Sequence, residues 1–193
     1  MVNDTSFDVL LASAVRQDQV ACEELYLHFV QPIYRLAYGM LLNKQDAEEV
    51  VQDSFGYAFR SLGQFDSSRS NFRTWLYQIT ISRCRNRLRK KWLPEVSVDE
   101  IADFAVSGGP SPESVAEVRH AQREVWEALK TLSPKLREAI VLRYFDGMPY
   151  KEMAAVIGCP QKTAESRVRL AHEAMYGLLA DKAASLFEGL VRQ

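Results

Sequence analysis

The sequence has few of the residues that break or staple a chain: 9 glycines, 7 prolines and 3 cysteines in 193 residues. Cys22, Cys84 and Cys159 lie far apart, form no CxxC pair and have no histidine cluster nearby, so they read as reduced structural thiols rather than a disulfide framework or a zinc site. No run of about 18 apolar residues is present, which leaves nothing to span a membrane. The opening stretch MVNDTSFD is acidic rather than basic-then-apolar, which points to a cytoplasmic protein without direct membrane insertion. His28, His120 and His172 stand isolated, and HExxH, a nucleophile elbow and a glycine-rich phosphate loop are all missing. The expectation is therefore neither an enzyme nor a protein with a cofactor or metal.

Strand-like alternation is also rare, and 47% of residues are hydrophobic, enough for one or two globular domains with real cores. The expected fold class is all-α. Net charge is only −1, but it is unevenly spread. Residues 1–92 carry 12 bases against 10 acids, residues 93–117 carry six acids and no base, and residues 118–193 carry 12 bases against nine acids. Two mildly basic helical domains, 1–92 and 118–193, are thus expected on either side of an acidic Ser/Gly/Pro-containing linker at 93–117.

The most organised stretch runs from Pro134 to Leu179. Ser133-Pro134 opens a helix, Asp146-Gly147 closes it, Pro149 restarts the chain and Gly158-Cys159-Pro160 makes a second break. The last two helices are one turn apart, as in a helix-turn-helix. In the final helix Ala164, Val168, Ala171, Met175 and Leu178 form one apolar stripe, and Lys162, Ser166, Arg169 and Glu173 point the other way. That form suits a major groove about 12 Å wide. It also suits the last helix of a plain bundle with a solvated face.

Earlier in the chain, helices are expected over 7–20 and 22–42, with a possible kink at Gln31-Pro32. A third starts at Asp46, with Val50, Val51, Phe55, Ala58, Phe59 and Leu62 inward and Glu49, Gln52 and Asp53 on one outward edge. A polar loop, Phe65 to Asn71, precedes FRTWLYQITISRCRNRLRKKW. This segment places Phe72, Trp75, Leu76 and Ile79 before six bases between residues 83 and 91, with Arg83, Arg87, Lys90 and Lys91 on one side and Arg85 and Arg89 flanking the other. Aromatics beside a one-sign basic helix combine stacking surface with a phosphate track. An ordinary core helix with a solvated basic end has the same pattern. A fourth amphipathic helix, 119–132, leads into the helix-turn-helix.

Three segments in order, AYGMLLNKQDAEEVVQDSFGYAFRSLGQFD, FRTWLYQITISRCRNRLRKK and LKTLSPKLREAIVLRYFDGMPYKEMAAVIGCPQKTAESRVRLA, resemble the extracytoplasmic-function (ECF) group of bacterial RNA polymerase sigma factors. The resemblance implies a non-enzymatic factor that directs core polymerase to specific promoters and assists their opening. By the same resemblance, Glu49, Gln52 and Asp53 would hold the β′ clamp helices. The −10 element would be captured and read by Phe65, Ser68, Asn71, Phe72, Arg73, Trp75, Ser82, Arg83, Asn86 and Arg87. The −35 element would fall to Gln161, Lys162, Thr163, Glu165, Ser166, Arg167 and Arg169. The acidic linker would thread through the polymerase, and an anti-sigma protein would be a partner. Ser82 stands where the family often has Asn, and Ala164-Glu165 replaces a commoner Val-Lys. Glu165 could accept a hydrogen bond from a cytosine amino group, which implies an unusual −35 preference. The rival is a two-domain regulator whose first domain binds a ligand and whose helix-turn-helix binds an operator.

Overall fold

The computed structural model describes residues 4–91 and 124–191, with side chains over 7–90 and 124–178. The linker at 93–117 and the first part of the 119–132 helix lie outside these residues. The described residues are helical, without strands.

Four helices make the N-terminal unit: α1 (Asp4–Val15), α2 (Gln19–Leu41), α3 (Lys44–Arg60) and α4 (Phe72–Lys91). The first break falls at residues 16–18, not at 21 as the spacing predicted. Gln17 takes a left-handed φ of 62° and the Asp18 carboxylate accepts the Ala21 amide at 2.9 Å. A side-chain cap there satisfies an amide that a continuous helix would use differently, and the chain restarts. Pro32 sits inside α2 without ending it. Leu42 closes α2 at φ 55°, and Asn43 caps α3 by accepting the Asp46 amide at 2.7 Å. Leu25, Ile33, Leu36, Leu76, Tyr77 and Ile81 are sealed between α2, α3 and α4, each burial contributing about 1.5–3 kcal/mol for an aliphatic side chain.

The C-terminal unit comprises α5 (over 124–131), α6 (Pro134–Ile140), α7 (Tyr150–Ile157) and α8 (Gln161–Val191). Helix α6 widens at its end into a π turn, Val141–Phe145, closed by a bond from the Met148 amide to the Leu142 carbonyl at 3.1 Å. Gly147 and Gly158 adopt φ of 61° and 75°, which ends α6 and α7 at small conformational cost. Arg137 is buried and meets carbonyls rather than a carboxylate: it donates to Leu129, Lys130 and Leu132 at the end of α5, and to Met40 at the end of α2. Burial pulls its pKa down from the ordinary arginine value.

The two units are packed together. Gly39 in α2 allows this closeness: a Cβ built there would meet the Val141 methyl carbons at 2.8 and 2.9 Å. Trp126 of α5 stands between Tyr38 of α2 and Phe145, edge-on to both, at 5.0 and 5.5 Å.

Candidate nucleic-acid interface

Helices α7 and α8 form the helix-turn-helix. Gly158 supplies the left-handed turn, and the Thr163 and Ala164 amides bond back to the Pro160 carbonyl. Ala164, Val168 and Ala171 anchor α8 in the core. Gln161, Lys162, Ser166 and Arg169 are exposed, and Thr163, Glu165 and Arg167 are half-buried on the flanks. Two acids hold this edge in order, since Glu165 accepts from the Gln161 amide nitrogen at 2.9 Å and Glu173 pairs with Arg169 at 2.7 Å. A row of outward donors and acceptors on a helix entered by a tight turn can reach base edges in a major groove.

The N-terminal unit presents a different surface. In the 65–71 loop Asp66 accepts both the amide and the hydroxyl of Ser68, at 2.9 and 2.6 Å, and these bonds hold its carboxyl below the usual aspartate range. Asn71 caps α4 by accepting the Thr74 amide at 2.7 Å. Phe65 and Trp75 are half-buried with ring centroids 5.3 Å apart, so part of each ring faces outward beside the exposed Ser68. Along α4 the exposed polar edge continues through Gln78, Ser82 and Asn86.

Three residues expected at the −10 site stand otherwise. Phe72 is only 2% exposed, packed among Phe29, Phe65 and Trp75, so it supports the loop from within and has no face for a base. Arg87 is tied to α3, pairing with Asp46 at 2.7 Å and Glu49 at 2.6 Å, and the Asp46 bond raises its pKa. Arg83 lies over the Tyr57 ring of α3 at 5.0 Å, a cation–π contact. The basic helix is therefore split, with Arg83 and Arg87 turned to α3 and Arg85 turned to the C-terminal unit. Glu49 shares its edge of α3 with the exposed Gln52 and Asp53, but one member of that trio already has a cation.

Periodicity missed the residues that join the units. Arg85 forms a two-point pair with Glu138 of α6, Nε to Oε2 at 2.9 Å and Nη2 to Oε1 at 2.7 Å, and Glu138 is sealed from solvent. Arg73 pairs with Glu152 of α7 at 3.2 Å, Gln78 donates to the Ala155 carbonyl at 2.9 Å, and the Tyr77 hydroxyl donates to Asp146 at 3.1 Å. Burial, reinforced by Asp146, pushes the Tyr77 phenol up, and burial likewise raises Asp146. The available sequence signal was a lone acid, Glu138, inside the apolar run LREAIVL.

Two family models match the chain in order: Sigma-70 region 2 over residues 25–93, and Sigma-70, region 4 over residues 122–175. The RNA polymerase sigma-H factor of Pseudomonas aeruginosa is 33% identical over 174 residues, covering 86% of this chain and 90% of that protein. The ECF RNA polymerase sigma-E factor of Escherichia coli K12 is 33% identical over 175 residues, covering 86% and 91%. Among solved structures, CnrH in complex with the cytosolic domain of CnrY is similar with a TM-score of 0.67 and 28% identity, over 90% of this chain and 96% of that one. The sigma factor RpoE of Bartonella quintana, solved with the anti-sigma factor NepR, has a TM-score of 0.66 and 25% identity, over 82% and 96%. With a region 2 surface and a region 4 helix-turn-helix in one polypeptide, this chain belongs to the ECF group of RNA polymerase sigma factors.

Proposed function

We propose that the chain directs core RNA polymerase to specific promoters in the cytoplasm and assists their opening, with no bond-making chemistry of its own. Gln52 and Asp53, with Glu49 behind them, present an acidic edge to the polymerase clamp. The 65–71 loop, Trp75, Ser82 and Asn86 receive the −10 strand, and the outward edge of α8 reads the −35 element. The carrying observation is that one chain holds both a half-buried Phe65 and Trp75 pair beside an exposed polar loop and a helix-turn-helix with an outward polar edge. The working domains are residues 1–92 and 118–193.

Magnitudes explain the dependence on polymerase. Opening on the order of ten base pairs costs about 1.4 kcal/mol per stacking step. Each aromatic–base stack returns about 1–3 kcal/mol, and with Phe72 sealed Phe65 and Trp75 are the two rings of this surface, among the described residues, left to contribute. The deficit must come from a larger enzyme. A regulatory partner of the anti-sigma class fits the same reading, since CnrH and the Bartonella RpoE were each captured with such a cytosolic or anti-sigma polypeptide.

The test is run-off transcription on fragmented genomic DNA from the same cell, with core polymerase and the purified chain. New start sites, each preceded by a shared pair of elements, should appear only when both are present. An identical set of transcripts with core polymerase alone would refute the function.

A further inference from the structure

The outward edge of α8 carries two carboxylates, and they are partnered differently. Glu173 faces Arg169, one turn back, at 2.7 Å, so its charge is balanced within the helix. Glu165 instead accepts from a neutral group, the Gln161 side-chain amide, at 2.9 Å, and among the described residues no lysine, arginine or histidine pairs with it. It is half-buried on the flank of the helix, one turn in from the end that a helix-turn-helix turns towards base edges. A carboxylate with no cation is costly there. It is repelled by phosphates, and docking strips it of water that something in the groove has to replace.

The four bases differ in what they offer such a group. In the major groove guanine presents the acceptors N7 and O6, and thymine presents O4 and a methyl group, so neither supplies a donor. Adenine sets its N6 amino group beside the N7 lone pair, which faces a carboxylate unfavourably. Cytosine presents the N4 amino group with no acceptor beside it on the same base. The Gln161 amide takes up Oε1 of Glu165 and holds the orientation of the carboxylate, so that Oε2 is left for a base.

We infer that Glu165 selects cytosine at one position of the −35 element, chiefly by penalising the other three bases, and that Gln161 is the positioning residue for its carboxylate. The inference rests on the reading of α8 as the −35 helix, and it adds how one position of that element is discriminated. Repulsive selection has a signature that an attractive contact lacks: removing the acid should improve binding to the wrong sequences rather than weaken binding to the right one.

The experiment uses holoenzyme made from core polymerase and the full chain. The −35 element of a promoter mapped by run-off transcription is randomised, and the duplexes that each holoenzyme retains are sequenced. Wild type should retain cytosine at one position, with the other three bases there binding about tenfold more weakly, within the range that one mismatched pair costs. Glu165→Gln keeps the size of the side chain and removes its charge. It should bring the four bases at that position within about twofold of one another, by tightening the disfavoured three, and leave the other positions as they were. Glu165→Lys should tighten binding to every sequence and steepen its salt dependence by a slope of about 0.9. Gln161→Ala should blur the cytosine preference alone, whereas a merely structural role at the start of α8 would weaken all positions together. A wild-type motif without cytosine dependence overturns the inference. So does a Glu165→Gln motif that still demands cytosine, or a Glu165→Gln holoenzyme that binds all four sequences more weakly. An unaltered motif in Gln161→Ala overturns its positioning role. Transcripts without preference anywhere upstream strike the −35 assignment of α8 and the inference with it, and the absence of chain-dependent transcripts refutes the sigma-factor function itself.

Discussion

Helices α4 and α8 are the two that a promoter would meet, and they are presented in opposite ways. Helix α8 is anchored by one stripe of small residues and leaves its other side outward, ordered by its own acids at Glu165 and Glu173. Helix α4 is held on three sides: by the α2 and α3 core, by the Asp46 and Glu49 pairs to Arg87, and by the C-terminal unit through Arg73, Tyr77, Gln78 and Arg85. A helix anchored on one face can read duplex as it stands. One clasped on several sides leaves only a narrow edge outward, through Trp75, Gln78, Ser82 and Asn86.

The contrast can be broken by substitution, most severely in α4. Phe72→Ala should cost about 3–5 kcal/mol of stability by urea unfolding, because the ring is core. Trp75→Ala, three residues on, should cost much less stability yet strongly reduce promoter opening by holoenzyme. Equal destabilisation by both would mean that Trp75 has no outward role. Next in size, Arg137→Met leaves four carbonyls without their shared donor, and should destabilise the C-terminal unit by about 3 kcal/mol in the same assay.

On α8 the effects should fall on affinity instead. Arg169→Ala should weaken −35 binding by about 1–3 kcal/mol in a footprint titration if the guanidinium reads a base, while loss of the exposed Glu173 pair changes stability by only about 0.3–0.5 kcal/mol. Lys162→Ala should reduce the salt dependence of binding by a slope of about 1 and leave sequence preference intact.

The smallest expected effect is one of pH. Asp146 accepts from Tyr77 through Oδ1, and its Oδ2 is buried without a hydrogen bond. Its pKa is raised from 3.8, mainly by burial, so folding shifts the group towards its protonated form. The stability this contributes is present below pH 3.8 and is lost as pH rises through the raised value. Asp146→Asn keeps a hydrogen-bonding partner for Tyr77 and removes the buried charge. It should be more stable than wild type at pH 7, with the advantage shrinking as pH falls toward 4.

How much of this was legible depends on the range over which each feature is encoded. The helix-turn-helix was readable because its signals are local: breakers at Gly147, Gly158 and Pro160, and a stripe from Ala164 to Ala171 that is buried as its spacing requires. The two-unit helical architecture was legible for the same reason. Phe72 and Trp75 were not separable, since both fall on one apolar arc and only their neighbours decide that one ring is sealed. Arg83, Arg85 and Arg87 looked like one basic track, whereas their partners lie far away in sequence, Tyr57 and Asp46 on α3 and Glu138 on α6. The break at Gln17 was missed because the polar run Arg16 to Gln19 contains no glycine or proline, and the turn is marked only by the capping aspartate Asp18. The π turn at Val141–Phe145 has no local mark in its composition, and its close approach to Gly39 is a property of the packed pair of units.

The most direct measurement uses 2-aminopurine placed in the −10 element of a promoter mapped by run-off transcription. Fluorescence should rise when core polymerase and the chain are mixed, stay flat with either alone, and fall sharply when Trp75→Ala replaces the wild type. A rise with the isolated chain, or with core polymerase in its absence, would contradict the central claim that this protein supplies the reading surfaces while the polymerase supplies the energy of opening.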